Sequence, residues 1–146
     1  MIELMHNKSK GEKIMPKIII ASGPVIVEDG KVLLTQHGDT EFWKFCGGKV
    51  EDFETDLIEN ARREVKEEMG LEIEIINETP FFLHTKKETP KGKIDVILVH
   101  FLAKRIGEIS PGADIREWKW IPLEDLEKEN LAPNIIPTLK HFGFLK

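Results

Sequence analysis

The chain is short of the residues that would give it a ready redox chemistry or a membrane address. Its 146 residues include one cysteine, Cys46, so no disulfide closes within it and no site of paired cysteines can hold zinc. No apolar run approaches the ~18 residues of a membrane span. The opening stretch MIELMHNKSKGEKIMP lacks the apolar core of a secretory signal. These absences set a cytoplasmic location, with no membrane partner, as the expectation. Positive charge is in deficit as well: 21 Lys and Arg face 26 Asp and Glu, a formal net charge of -5. An acidic chain is a poor match for a nucleic-acid backbone. That argues against a nucleic-acid polymer and leaves room for a small phosphorylated ligand, if cations bridge the repulsion. The five histidines, at 6, 37, 84, 100 and 141, form no spaced metal motif and read as structural or exposed.

What is present suits one globular domain, with 40% apolar and 32% charged residues. A chain of this size buries roughly two thirds of its unfolded surface. Residues 1–15 read as a polar leader and 16–146 as the domain. Two β-branched runs flank Glu28-Asp29-Gly30, and Asp-Gly between such runs is a hairpin signal. LEIEIINET alternates as a half-buried strand should. PFFLHTK is a further strand, and KETPKGK a turn. IDVILVHFLAKR is the most apolar strand and the expected centre of the sheet. IREWKWIPL is a last strand, with Trp118 and Trp120 on one face and expected in the core. LEDLEKE is a short helix or turn. APNIIPTLKHFGF is a C-terminal helix presenting Ile135, Ile136, Leu139 and Phe142. Strands dominate and helices come singly, which predicts an α+β (mixed α/β) sandwich.

One helix is unusual. It is predicted over about residues 56–69, with Asp56 as N-cap, Glu59 completing a capping box and Gly70 in the left-handed position past its end. At about 100° per residue, Ile58, Ala61, Val65 and Met69 form its core stripe. Glu64, Glu67 and Glu68 span an arc of about 100° beside that stripe, with Glu68 nearest its edge. Like charges at this spacing cost an isolated helix roughly 0.2–0.5 kcal/mol per pair. Arg62, Arg63 and Lys66 offer one remedy, a solvated face. A hard cation offers another, since Mg²⁺ binds through few carboxylates together with phosphates and water.

The segment GGKVEDFETDLIENARREVKEEMGL resembles the Nudix box, G-x5-E-x7-R-E-U-x-E-E-x-G-U with U aliphatic. Arg63, Glu64, Val65, Glu67, Glu68, Gly70 and Leu71 match its second half, and Gly48-x5-Glu54 its first. Eight residues, Thr55 to Arg62, separate the halves where the pattern has seven. The extra residue must be absorbed between Asp52 and Leu57, because Ala61, Val65 and Met69 have to keep facing the core. Glu54 is thereby displaced from its place beside Arg63, with Glu51 or Glu59 as substitutes. VIVEDGKVLLTQHG, FWKFCGGKVE and REWKWIPLEDL extend the likeness over about residues 16–128.

The resemblance implies an α/β/α sandwich with a mixed sheet. It also implies metal-dependent hydrolysis of a nucleoside diphosphate linked to another group. Mg²⁺, or Mn²⁺ in its place, would be held by Glu64, Glu68 and the Gly47 carbonyl. Glu67 would be a ligand or the base that activates water, and Arg63 would orient a glutamate. Gly48, Glu54 and Gly70 would shape the motif. Phe42, Trp43 and Lys49 are candidate substrate contacts, with core packing an equal reading for the aromatics. Cys46 reads as a small buried residue, not a nucleophile. The lysines of KKETPKGK could meet outer phosphates or simply tip a solvated hairpin. The expected substrate is a nucleoside triphosphate or a dinucleoside polyphosphate, with ADP-ribose as a third option; the chain has no tyrosine to serve as the base clamp of some dinucleoside polyphosphate hydrolases. The expected assembly is a monomer or homodimer. A Nudix-like binding or regulatory domain without turnover is the competing function, and a protein-interaction surface explains the acids but not the glycines.

Overall fold

Val25 and Ile26 are neighbours in sequence yet enter different cores, and so do Leu34 and Leu33. Side chains alternate across a strand, so each face of the sheet has its own apolar layer. The computed structural model describes residues 17–146 except Phe53; the polar leader expected over residues 1–15 lies outside the described residues.

Seven strands form the sheet: β1 (Ile18–Glu28), β2 (Lys31–His37), β3 (Gly48–Lys49), β4 (Glu72–Ile75), β5 (Phe81–Thr89), β6 (Gly92–Ile106) and β7 (Ile115–Pro122). Their order is β4-β6-β1-β2-β7, with β3 on β1 and β5 on β6. The β1–β6 pair is parallel, from Ile18↔Asp95 to Ile26↔Ala103, and the other pairs are antiparallel. A parallel pair needs a long crossover, and here it carries β2, β3, α1 (Leu57–Met69), β4 and β5. β6 is central as expected, since β1 lies on one side and β4 and β5 on the other. Asp29 (φ 50°) and Gly30 (φ 76°) make the predicted β1–β2 hairpin turn.

α1 covers one face. Ala61, Val65 and Met69 are fully buried, packing on partners that include Ile26, Leu33, Leu71 and Val99, while Ile58 is half-buried. Burial of side chains such as Val65 and Met69 stabilises by about 1.5–3 kcal/mol each. A 3₁₀ helix (Leu123–Lys128) and α2 (Ile135–His141) follow β7. Ile135 and Leu139 of α2 pack on Val25, Leu34, Trp43 and Phe45, with Ile136 and Phe142 at the margin. The fold is therefore an α/β/α sandwich of the α+β class with a mixed sheet.

The ends of α1 are closed locally. Asp56 Oδ1 accepts the Glu59 N–H at 2.8 Å. The reciprocal half of the expected capping box is replaced by a Glu59–Arg62 ion pair at 3.2 Å. Gly70 (φ 68°) ends the helix, and Ser110 and Gly112 donate N–H groups to the Met69 and Glu68 carbonyls at 2.7 and 2.8 Å. These bonds satisfy acceptors that a helix end leaves open.

One core assignment is corrected. Trp118 lies on β7, the terminal strand, and is 38% exposed, because no further strand shields it. Trp120, on the same face, packs at the margin of the core beneath Arg105.

Candidate functional site

The site begins where two backbones cross. A Cβ on Gly23 would lie 1.9 Å from the Cys46 carbonyl oxygen, and one on Gly47 would lie 2.7 Å from that of Ser22. Gly47 also takes φ 144°, which side-chain-bearing residues avoid. This contact brings the Gly47–Gly48 segment against α1.

Two glutamates of α1 converge on that segment. Glu68 Oε1 accepts the Gly47 N–H at 3.1 Å. Glu64 packs on Gly48 so closely that a Cβ there would meet Glu64 Oε1 at 2.2 Å. Burial pushes the Glu68 carboxyl up to about 7; Glu64 and Asp114 add to the effect, and the Gly47 N–H and Lys44 oppose it. Burial also raises Glu64, opposed by Arg63. Glu67 behaves differently: its side chain is 58% exposed and pairs with Arg63 at 3.3 Å.

Arg63 is held by a partner the sequence did not disclose. Its Nη2 donates to Asn60 Oδ1 at 2.7 Å and lies 3.0 Å from Glu64 Oε2. Asn60 is 1% exposed, and its amide nitrogen donates to Ser22 Oγ at 2.9 Å and to the Gly48 carbonyl at 3.0 Å. Asn60 thus ties α1 to β1 and β3 and aims Arg63 at Glu64. Among the described residues none of Glu51, Glu54 and Glu59 makes a hydrogen bond or ion pair with Arg63, so Glu54 is displaced as expected and neither substitute takes its place. The extra residue leaves Glu54 in the exposed turn before Asp56, where its N–H bonds to Asp52 Oδ1 at 2.8 Å. Glu59 is committed to Arg62.

The surroundings add three groups. His37 Nε2 lies 3.4 Å from Glu68 Oε2. Asp114 stands within charge range of both Glu68 and His37. Lys44 is half-buried; burial lowers its pKa, and it feels both the Glu68 carboxylate and the like charge of Lys87. His37, Lys44 and Asp114 carry no motif, and their sequence separations from Glu68 gave no signal. Asn60 had a faint one, an amide one turn before Arg63 and Glu64.

Of the expected substrate contacts, Lys49 and Phe42 are exposed. Trp43 is not available: it packs in the core with Phe45, Ile135 and Leu139, its N–H bonded to the Asn130 carbonyl at 2.8 Å. Burial raises the Cys46 thiol, in keeping with an inert core residue.

The donor set fits a hard cation. Two carboxylates meet at a glycine segment, and their burial disfavours charge that a dication would stabilise. As the side chains stand, no three carboxylate, imidazole or thiol groups among the described residues gather closely enough to cage an ion. That suits a cation shared with phosphate and water rather than a closed protein cage. Among the described residues no helix is long and apolar enough to cross a membrane.

The family model described as the NUDIX domain matches residues 17–142. No curated protein sequence matches the chain. Among solved structures, the Escherichia coli ORF135 protein is 27% identical, with TM-score 0.68 over 87% of this chain and 89% of that one. A Caenorhabditis elegans Ap4A hydrolase is 24% identical, with TM-score 0.66 over 85% and 94%. A Streptococcus suis ADP-ribose pyrophosphatase is 24% identical, with TM-score 0.61 over 84% and 87%.

Proposed function

The chain belongs to the NUDIX family and is a Nudix-type hydrolase, and from that premise we propose that it hydrolyses a nucleoside diphosphate linked to another group, using a divalent cation held by Glu64 and Glu68. The observation that carries this reading is the convergence of those two buried carboxylates on Gly47–Gly48. Mg²⁺ or Mn²⁺ would neutralise phosphate oxygens and lower the pKa of bound water. The Gly47 carbonyl is the third ligand candidate.

The chain's own residues have separable tasks. Gly47 N–H holds one oxygen of Glu68, leaving the carboxylate's other lone pairs for the cation. Asn60 fixes Arg63, which holds Glu64 in place through an ion pair. Glu67, exposed on the adjacent edge of α1 and paired with Arg63 through one carboxylate oxygen, would take a proton from attacking water or join the ligands with the other.

The substrate is a nucleoside triphosphate or a dinucleoside polyphosphate ahead of ADP-ribose. The fold does not choose, since similar structures include both an Ap4A hydrolase and an ADP-ribose pyrophosphatase. Lys44 and Lys87 favour the longer phosphate chain. Neither makes an ion pair among the described residues, and Lys44, which feels the Glu68 carboxylate, also feels the like charge of Lys87. An extra phosphate would relieve that repulsion. The test is a nucleotide panel with Mg²⁺, reading phosphate, pyrophosphate and nucleoside monophosphate. Triphosphates or dinucleoside polyphosphates should give the highest kcat/KM, and excess chelator should abolish turnover. Full turnover in chelator would overturn the mechanism.

A further inference from the structure

His37 belongs to no part of the mechanism above, yet its placement is elaborately fixed. The β2–β7 register runs Gln36↔Glu117 and then His37↔Ile115, so Arg116 is an extra residue, a β-bulge. Bulges bend a strand and re-aim a side chain. This one is clamped: Arg116 donates to the Gly38 carbonyl at 2.6 Å, Gln36 Oε1 at 2.7 Å and the Thr40 carbonyl at 2.8 Å. The result turns His37 toward the C-terminal end of α1, into a cavity of about 540 Å³ shared with Gly38, Ala113, Asp114 and Arg116. There Nε2 is shielded from solvent and has no hydrogen-bond partner among the described residues, at 3.4 Å from Glu68 Oε2.

An unpartnered buried nitrogen costs free energy unless something repays it. We propose that His37 is a positioning residue that donates Nε2–H to Glu68 Oε2, bracing the carboxylate from the side not held by Gly47 so that its remaining lone pairs meet the cation. This rests on Glu68 being a cation ligand. A closure of about half an ångström converts the present separation into an ordinary N–H···O bond, and hydrogen bonds at such sites tighten when the ligand arrives. Outer groups that orient metal ligands typically change metal affinity by 10–100-fold when removed.

The test uses the full metal-free chain titrated with Mn²⁺ alone, free Mn²⁺ being read by electron paramagnetic resonance. His37→Leu should weaken Mn²⁺ binding by about 10–100-fold. His37→Gln, which offers an amide N–H at a similar reach, should restore it to within about threefold of the native chain. A long-range ¹H–¹⁵N spectrum of the native chain should show the Nε2–H tautomer, a readout independent of any variant's folding. Native Mn²⁺ affinity in a folded His37→Leu variant, failure of Gln to rescue, or an Nε2 lone pair in the native ring would each overturn the proposal. If the native chain itself binds no Mn²⁺, the cation reading of Glu68 falls, and this inference with it.

Discussion

Two buried polar clusters lie on opposite faces of the sheet, and they solve the same problem in opposite ways. On the α2 face, His100 is bonded through Nδ1 to the Gly23 carbonyl at 3.3 Å and through Nε2 to the Asn134 amide at 3.1 Å. Thr138, below it, donates to the Asn134 carbonyl at 2.6 Å. Every contact is neutral, and burial drives the His100 pKa down to about 4, opposed by the Gly23 bond. On the α1 face, burial raises the pKa values of Glu64 and Glu68, the charge of Glu64 adds to the rise at Glu68, and His37 Nε2 has no hydrogen-bond partner among the described residues. A satisfied neutral cluster stabilises a fold. A crowded acidic one costs stability unless a cation offsets the charge, as the proposed function requires.

The largest expected difference is in turnover. Glu68→Gln should lower kcat by about 10²-fold or more, because even outer metal-site residues are worth 10–100-fold. The same change should raise metal-free stability at pH 8, by up to on the order of 3 kcal/mol, since it removes a buried charge. Chemical denaturation reads the second half, and a marked loss of stability with turnover intact would make Glu68 a structural carboxylate.

Next in size is a pair of opposed pH dependences in the metal-free protein. Glu68 ionises near 4.5 when unfolded and near 7 in the fold. The folded state therefore holds the extra proton between those values, and stability falls as pH rises through them, by on the order of 3 kcal/mol. His100 takes a proton near 6.5 when unfolded and only at about 4 in the fold. Its contribution is present above 6.5 and is lost as pH falls toward 4, by a similar order of 3 kcal/mol. Glu68→Gln should flatten the neutral-side decline alone. If it flattens the acid-side loss instead, the two clusters have been assigned the wrong way round.

His100→Phe should cost about 1–3 kcal/mol by leaving the Asn134 amide without its acceptor. Mn²⁺ affinity should be unchanged, and a shift in it would show that the clusters communicate. The smallest effect is expected at Glu54. Glu54→Gln should change turnover by less than about threefold and stability by less than ~0.5 kcal/mol. Asn60→Leu, by contrast, should lose more than 1 kcal/mol, about what unpairing Ser22 and Arg63 costs. Equal sensitivity at the two positions would restore Glu54 as the brace.

Patterns confined to one element were readable in advance. Asp29-Gly30 forms the β1–β2 turn, Asp56 and Gly70 close α1, and the Ala61–Val65–Met69 stripe is buried. The arc of glutamates was readable too, but not the separation of their tasks. Glu67 is exposed beside Arg63 while Glu68 is buried, because Gly47–Gly48 and the Ser110–Gly112 loop close over one edge of α1 only. Trp43 was left open between core and site, and Trp118 was misjudged, for a related reason. An aromatic residue is equally compatible with a core and a surface until its strand's place in the sheet is known.

By itself the sequence determined the period of each element, the places where backbone can turn left-handed, and the i, i+4 spacing that puts Glu64 and Glu68 on one side of a helix. Those are local properties, fixed by steric limits and by about 3.6 residues per turn. The tertiary structure alone decided which groups meet those carboxylates. Gly23 crosses Gly47, Asn60 replaces Glu54, and a bulge at Arg116 turns His37 inward. Each depends on strand order and register between segments far apart in the chain, and burial, which raises the Glu68 pKa, exists only once they have packed.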